Sequence, residues 1–265
     1  MQISNLLLTK IIYMEKQELK FVTCSGANEF TNISDIVALS ERFPIIEWGI
    51  QASGKKCAKD SDRFRWIKEL QHFLKDKHQA INLALHLNED WVDGYTSGTI
   101  PEEVETLLDM RDCNNAYLFK RIQLNFKIGR NKDPHFSLLM ERLLTHAEGK
   151  RFILSFNPSN ETFIHQMYRY GLRDFDVLYD SSHGEGITAS KWKEPAFFDD
   201  GILQGYAGGL SPDNVANEIA KIRKVIPYNG SFYIDAEGKL KGDDKHLSLN
   251  KCKEYVCNAL QAMNF

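Results

Sequence analysis

Cysteine is scarce and falls in no recognisable pattern: Cys24, Cys57, Cys113, Cys252 and Cys257 make an odd set of five without a CxxC pair. Such a set gives no support to a metal site of the zinc kind, and it fits reduced thiols in a cytoplasm better than a disulfide framework. Long apolar runs are also missing. No segment approaches the roughly 18 consecutive apolar residues a membrane helix needs, which excludes a helical membrane span. The run from Asn5 to Tyr13 is broken by Lys10 and does not end in a small-residue cleavage site, so no signal peptide is expected. There is no block of basic residues. With 33 basic against 36 acidic side chains the formal charge is −3, and nucleic acid is not an expected partner. Low-complexity segments and linkers are absent too, which leaves a chain of 265 residues, 43% hydrophobic and 26% charged, with nowhere obvious to divide it.

What is there is a repeated unit. A β-leaning run from Leu19 to Cys24 ends at Ser25-Gly26-Ala27-Asn28 and is followed by a helix opening at Asn32, with apolar residues at helical spacing. The spacing predicts further strands at Pro44–Gly49, Ala80–Leu87, Lys120–Phe126, Arg151–Ser155, Phe175–Asp180, a seventh ending near Ala207, and Ser231–Asp235. Helices are expected at Ser61–Leu74, Pro101–Met110, Pro134–Ala147, Asn160–Tyr170, Pro212–Val225 and Leu247–Met263. Only the stretch after the sixth strand, with Pro195 and little periodicity, lacks a clear helix. Eight strand-then-helix units imply a single (β/α)8 barrel over residues 20–265, preceded by an N-terminal extension over 1–19. An open doubly wound sheet is the alternative, and it leaves the even repetition unexplained.

In such a barrel the chemistry sits at the C-terminal ends of the strands. Those positions hold Cys24, Trp48, His86, Gln123, Asn125, Ser155, Asp180 and Asp235. Cys24 and Asp180 come from different sides of the ring and can both move protons, so a substrate lying across the mouth would be flanked by the two. The plainer readings are that Cys24 is a small buried hydrophobe, Asp180 a loop-anchoring carboxylate, and Asp235 with Glu237 a stabiliser of the last turn. His86 reads as a satisfied strand-end histidine. His183, between glycine-rich neighbours after Asp180, is the better placed histidine to meet a ligand, although its spacing fits no nucleophilic triad.

Two features point to anions. The stretch Ala207-Gly208-Gly209-Leu210-Ser211-Pro212 reads as strand, tight turn and helix start with Ser211 as N-cap, and Glu237-Gly238 follows the eighth strand; together these loops form the usual barrel phosphate site. Arg63 and Arg65, at the start of the second helix, are either a guanidinium fork for a carboxylate or a solvated helix face.

The ordered motifs resemble phosphoribosylanthranilate isomerase, the (β/α)8 enzyme of tryptophan biosynthesis. Val22-Thr23-Cys24-Ser25-Gly26 is similar to that family's Lys-Ile-Cys-Gly, Ser61-Asp62-Arg63 to its Ser-Pro-Arg, and Ile122-Gln123-Leu124-Asn125 to its Val-Gln-Leu-His. Asp180 precedes a glycine-rich loop as in the family, Ala207 to Val215 resembles Ala-Gly-Gly-Leu-Thr-Pro-Glu-Asn-Val, and Asp235-Ala236-Glu237-Gly238 its final Asp-x-x-Ser-Gly. The resemblance implies an intramolecular oxidoreductase carrying out an Amadori rearrangement of an aminated ribose phosphate. Asp180 would then be the acid, Cys24 the base and Arg63 the carboxylate clamp. Gln123, His183 and Asp235 would contact the sugar phosphate, and Gly208, Gly209 and Gly238 the phosphate itself. No metal or organic cofactor is implied, because the substrate nitrogen serves as electron sink. The chain departs from the family where Ser25 follows the cysteine, Asp62 replaces a proline, Gln51 to Asp60 is inserted, and Lys239-Leu240 stands in place of Val-Glu. A phosphate-binding lyase or aldolase would place a Schiff-base lysine at a strand end, where none stands; a barrel without catalysis is the remaining alternative.

Overall fold

The computed structural model describes residues 17–130, 132–180, 188–197 and 200–264. Eight parallel strands close into one barrel in chain order: β1 (Glu18–Ser25), β2 (Ile46–Ala52), β3 (Asn82–Leu87), β4 (Arg121–Leu124), β5 (Arg151–Ser155), β6 (Phe175–Asp180), β7 (Gln204–Ala207) and β8 (Ser231–Ala236). The ring closes through parallel pairing of β1 with β8. The expected (β/α)8 barrel is therefore the fold, and the open sheet is ruled out.

The helices follow their expected strands, with local signals setting most starts. Asn32, Ser61 and Ser248 cap α1 (Ile33–Arg42), α3 (Asp62–Asp76) and α9 (Leu249–Met263), each side chain accepting the backbone N–H three residues on. The inserted segment forms a single turn, α2 (Gly54–Cys57). After β3 the chain makes α4 (Glu89–Ser97) before the expected α5 (Glu102–Asp109); α6 (Phe136–His146) and α7 (Glu161–Arg169) follow β4 and β5. Among the described residues no α-helix lies between β6 and β7. There Trp192 fills the helix's place, packing edge-on against Tyr206 and donating its indole N–H to Glu218 of α8 (Val215–Ile222) at 2.9 Å. None of the described helices is long and apolar enough to cross a membrane.

Alternation along each strand separates two environments. One set of side chains faces the helices and is apolar, including Val22, Cys24, Trp48, Leu85, Ile122, Leu154, Val177 and Tyr206, all buried in the main core. The other set faces the barrel axis and is largely polar. In its lower layer Arg121 lies between the rings of Phe21 and Tyr233, at 4.7 and 4.1 Å to their centroids. It donates to Glu47 at 2.7 Å and to Asp176 at 3.1 Å, while Thr23 donates to Glu47 and Arg151 to Asp176, each at 2.8 Å. Tyr233 fits only because its neighbour Gly205 has no side chain, since a Cβ there would run into the ring. This charged plug fills the barrel and makes the floor on which the mouth is built.

Candidate active site at the barrel mouth

Above that floor the inward residues of the strand ends enclose a cavity of about 750 Å³. Ser25, His86, Gln123, Asn125, Ser155, Asp180 and Asp235 all line it. Gly49 makes the close approach possible: a side chain there would strike Ser25 Oγ and lie 2.7 Å from the His86 ring.

Asp235 is the most perturbed acid in the mouth. Burial is the main cause, and with the charges of Glu47, Glu237 and Asp180 it pushes the carboxyl up to about 7, although a hydrogen bond from Ser25 pulls the other way. That bond runs from Ser25 Oγ to Asp235 Oδ1 at 2.7 Å. A carboxyl poised near neutrality at a strand end is suited to exchanging protons with a ligand. Asp180, at the end of β6, lines the same cavity. His86 is held neutral: burial, with the positive charge of Arg121 beneath it, takes its imidazole down to about 3. Around the rim Gln123 donates to Asn125 and Asn125 to Asn88, each at 2.7 Å, and Gln51 donates to Glu237 at 2.6 Å. Lys56, Lys127, Arg130, Lys239 and Lys241 supply positive charge.

Cys24 is not in this cavity, so the expectation that it faces Asp180 across the mouth is corrected. Its side chain is fully buried on the opposite parity of β1, against Cys252 of α9. Burial pushes the thiol well above its ordinary value, and Cys252 and Asp235 push it the same way. A base needs a thiolate, and this setting disfavours one. The two sequences come into register if the glycines are matched, so that Ser25 rather than Cys24 takes the place of the family cysteine. Cys24→Ala is accordingly expected to leave turnover unchanged while costing about 1 kcal/mol of packing; steady-state kinetics with urea unfolding would check it, and loss of activity in a folded variant would contradict it.

Arg63 is also placed elsewhere. Its Nε is ion-paired with Glu29 and its Nη1 donates to the Gln51 carbonyl at 3.1 Å, so it ties the loop after β1 to the end of β2 and does not line the cavity. Gly208 and Gly209 do line it, as does Gly238 in the 3-10 turn that follows β8. Gly208 and Gly209 have φ of 109° and 64°, which only glycine adopts without strain. The helix start differs from expectation: Ser211 and Asn214 exchange hydrogen bonds across a turn, and α8 begins at Val215 rather than at Pro212. Gly209 and Lys239 also border a second cavity of about 530 Å³ beside that turn. His183 lies outside the described residues.

Fold and mouth together define a (β/α)8 barrel with a polar, cation-rimmed cavity at the face where such barrels keep their active sites. No family model matches the chain, and no curated protein sequence matches it. Among solved structures it is similar to phosphoribosyl anthranilate isomerase from Thermus thermophilus, at 15% identity and a TM-score of 0.54 over 91% of this chain and 98% of that one. It is likewise similar to a phosphoribosyl anthranilate isomerase in complex with reduced 1-(o-carboxyphenylamino)-1-deoxyribulose 5-phosphate, at 17% identity and 0.52 over 92% and 100%. A third is phospho-2-dehydro-3-deoxyheptonate aldolase from Thermotoga maritima, at 10% identity and 0.51 over 94% and 70%. At these identities the likeness is one of fold.

Proposed function

We propose that this chain is a sugar-phosphate isomerase of the aldose–ketose type, related in architecture to phosphoribosylanthranilate isomerase but moving protons with different groups. The observation that carries this reading is Asp235, a buried carboxyl with a value of about 7 at the end of β8, hydrogen-bonded by Ser25 and sharing its cavity with Asp180. Two carboxyl groups at one mouth provide an acid and a base without a thiol.

The phosphate is assigned to the backbone of Gly208, Gly209 and Gly238, with Lys239 beside them. Asp180 donates a proton to the ring oxygen as the C1–O bond opens. Asp235, ionised, removes the C2 proton; the C–H electrons form the C1=C2 bond, and the electrons of the C1 double bond move onto the substituent at C1. Collapse of the resulting enediol or enaminol to a ketone returns a proton to C1, so the substrate is isomerised with no net oxidation. Ser25 holds the Asp235 carboxylate in place through its hydroxyl. The family's own aminated substrate is disfavoured, because Arg63 is engaged by Glu29 and Gln51 and Cys24 faces the wall.

The test is exchange of the C2 hydrogen of ribose 5-phosphate in D2O, followed by NMR, beside the fluorescence assay with phosphoribosylanthranilate. Exchange is expected with the wild type, its rate rising with pH through an apparent value near 7 as Asp235 ionises. Turnover of neither compound by folded protein would overturn the reading.

A further inference from the structure

We propose that His86 and Gln123 together read one hydroxyl group of the substrate, and that the site selects sugars carrying a hydroxyl at the carbon it reads. This deepens the sugar-phosphate reading and rests on it. The two residues are register partners on β3 and β4, and both line the cavity. They are only 3% and 5% exposed, yet His86 Nε2 and Gln123 Oε1 have no hydrogen-bond partner among the described residues. His86 is therefore not the satisfied strand-end histidine that its position suggests. A polar atom buried without a partner is costly, and a ligand that meets it recovers that cost.

The unmet acceptor stands at the end of a chain of amides with a fixed direction. Asn88 donates to the backbone carbonyl of His86 at 2.9 Å, which leaves its Oδ1 to accept from Asn125 at 2.7 Å; Asn125 Oδ1 in turn accepts from Gln123, also at 2.7 Å. Each amide is oriented by the one before it, and Gln123 Oε1 is what remains. Asn160 steadies the flanking backbone, donating to the carbonyls of Phe126 and Ser155 at 2.8 and 2.9 Å and accepting the Ile128 N–H at 3.0 Å. A buried acceptor needs a donor, which an ionised phosphate, a carboxylate or a carbonyl cannot supply. A hydroxyl can, and its oxygen can accept from His86 at the same time, since a neutral imidazole carries one N–H. Burial keeps this imidazole neutral. The hydroxyl also lies close to the reacting carbons. A Cβ at Gly49 would strike Ser25 Oγ and lie 2.9 Å from His86 Nε2, so the two side chains come together over that glycine, and Ser25 in turn holds Asp235. With Asp235 assigned to the C2 proton, the hydroxyl is the one at C2 or at C3.

The experiment is calorimetric titration of the full chain with ribose 5-phosphate, 2-deoxyribose 5-phosphate and 3-deoxyribose 5-phosphate. Wild type is expected to bind one of the deoxy compounds about ten- to hundredfold more weakly than ribose 5-phosphate, because that analogue leaves both buried groups unmet. Which compound loses identifies the carbon. His86→Leu and Gln123→Met are each expected to narrow the gap, and together to erase it, by weakening ribose 5-phosphate while the weaker deoxy compound binds as it does to wild type. A merely structural role would weaken all three alike and keep the gap. Equal binding of the three by wild type, or a gap that survives both substitutions, would overturn the hydroxyl site while leaving the sugar-phosphate reading in place. Failure to bind any of the three would remove both.

Discussion

Asp235→Asn is expected to leave the protein inactive and, at pH 8, more stable. The loss of activity follows from the assigned role, since removing a positioned general base slows proton transfer by about 10²–10⁴-fold. The gain in stability follows from linkage. The folded protein holds the Asp235 carboxyl at about 7, against an ordinary value of 3.8, so between those values the folded state keeps a proton that the unfolded chain releases. The contribution is therefore intact below about pH 4 and is lost as pH rises through 7, where the carboxylate must ionise in a dry site. At about 1.4 kcal/mol per unit, the strain at pH 8 is on the order of 4 kcal/mol, and a neutral amide that still accepts the Ser25 hydroxyl relieves much of it. Urea unfolding at pH 8 and at pH 4 tests this: the variant should gain at the first and match wild type at the second. A variant less stable than wild type at pH 8 would show that the site does not strain this carboxyl.

Arg121→Leu is expected to have the opposite balance, with a loss of about 3–5 kcal/mol at pH 7. Removing the guanidinium leaves Glu47 buried in the barrel without its counter-charge and Asp176 with Arg151 alone, and an uncompensated buried charge is costly. The loss should shrink at pH 4, where the two carboxyls can take up protons, and it should be largely recovered when Glu47→Gln and Asp176→Asn are added. An equal loss at both pH values would mean that stacking on Phe21 and Tyr233, not charge, is what Arg121 contributes.

The barrel was legible in the sequence because its signals are local. Strands followed by capped amphipathic helices recur, and Asn32, Ser61 and Ser248 mark starts that the structure keeps. The helix Glu89–Ser97 is short and carries Gly94, and although Asn88 and the acidic Glu89-Asp90 mark its start, the Asn88 side chain makes no capping bond. The site was legible as a set of strand ends, but not in its parity. A slip of one residue exchanges the two faces of a strand, and matching cysteine to cysteine put Cys24 in the mouth where Ser25 stands. The alternation itself held the clue, since Val22 and Cys24 share the apolar face while Thr23 and Ser25 share the polar one. The importance of Asp235 was harder to see. Its perturbation arises from burial together with Glu47 and Asp180, residues far from it in the chain, and no spacing encodes that. Glu47, Arg121 and Asp176 were hidden for the same reason, each looking like an ordinary charge within its own strand.

Asn160 has a bearing on how a ligand would be received. By gripping Phe126, Ile128 and Ser155 it turns the backbone of the loop after β4 into a fixed part of the wall, so that backbone requires little ordering when a ligand arrives. Capture at that rim would then be governed by the rate of encounter and by ionic strength rather than by a closing motion.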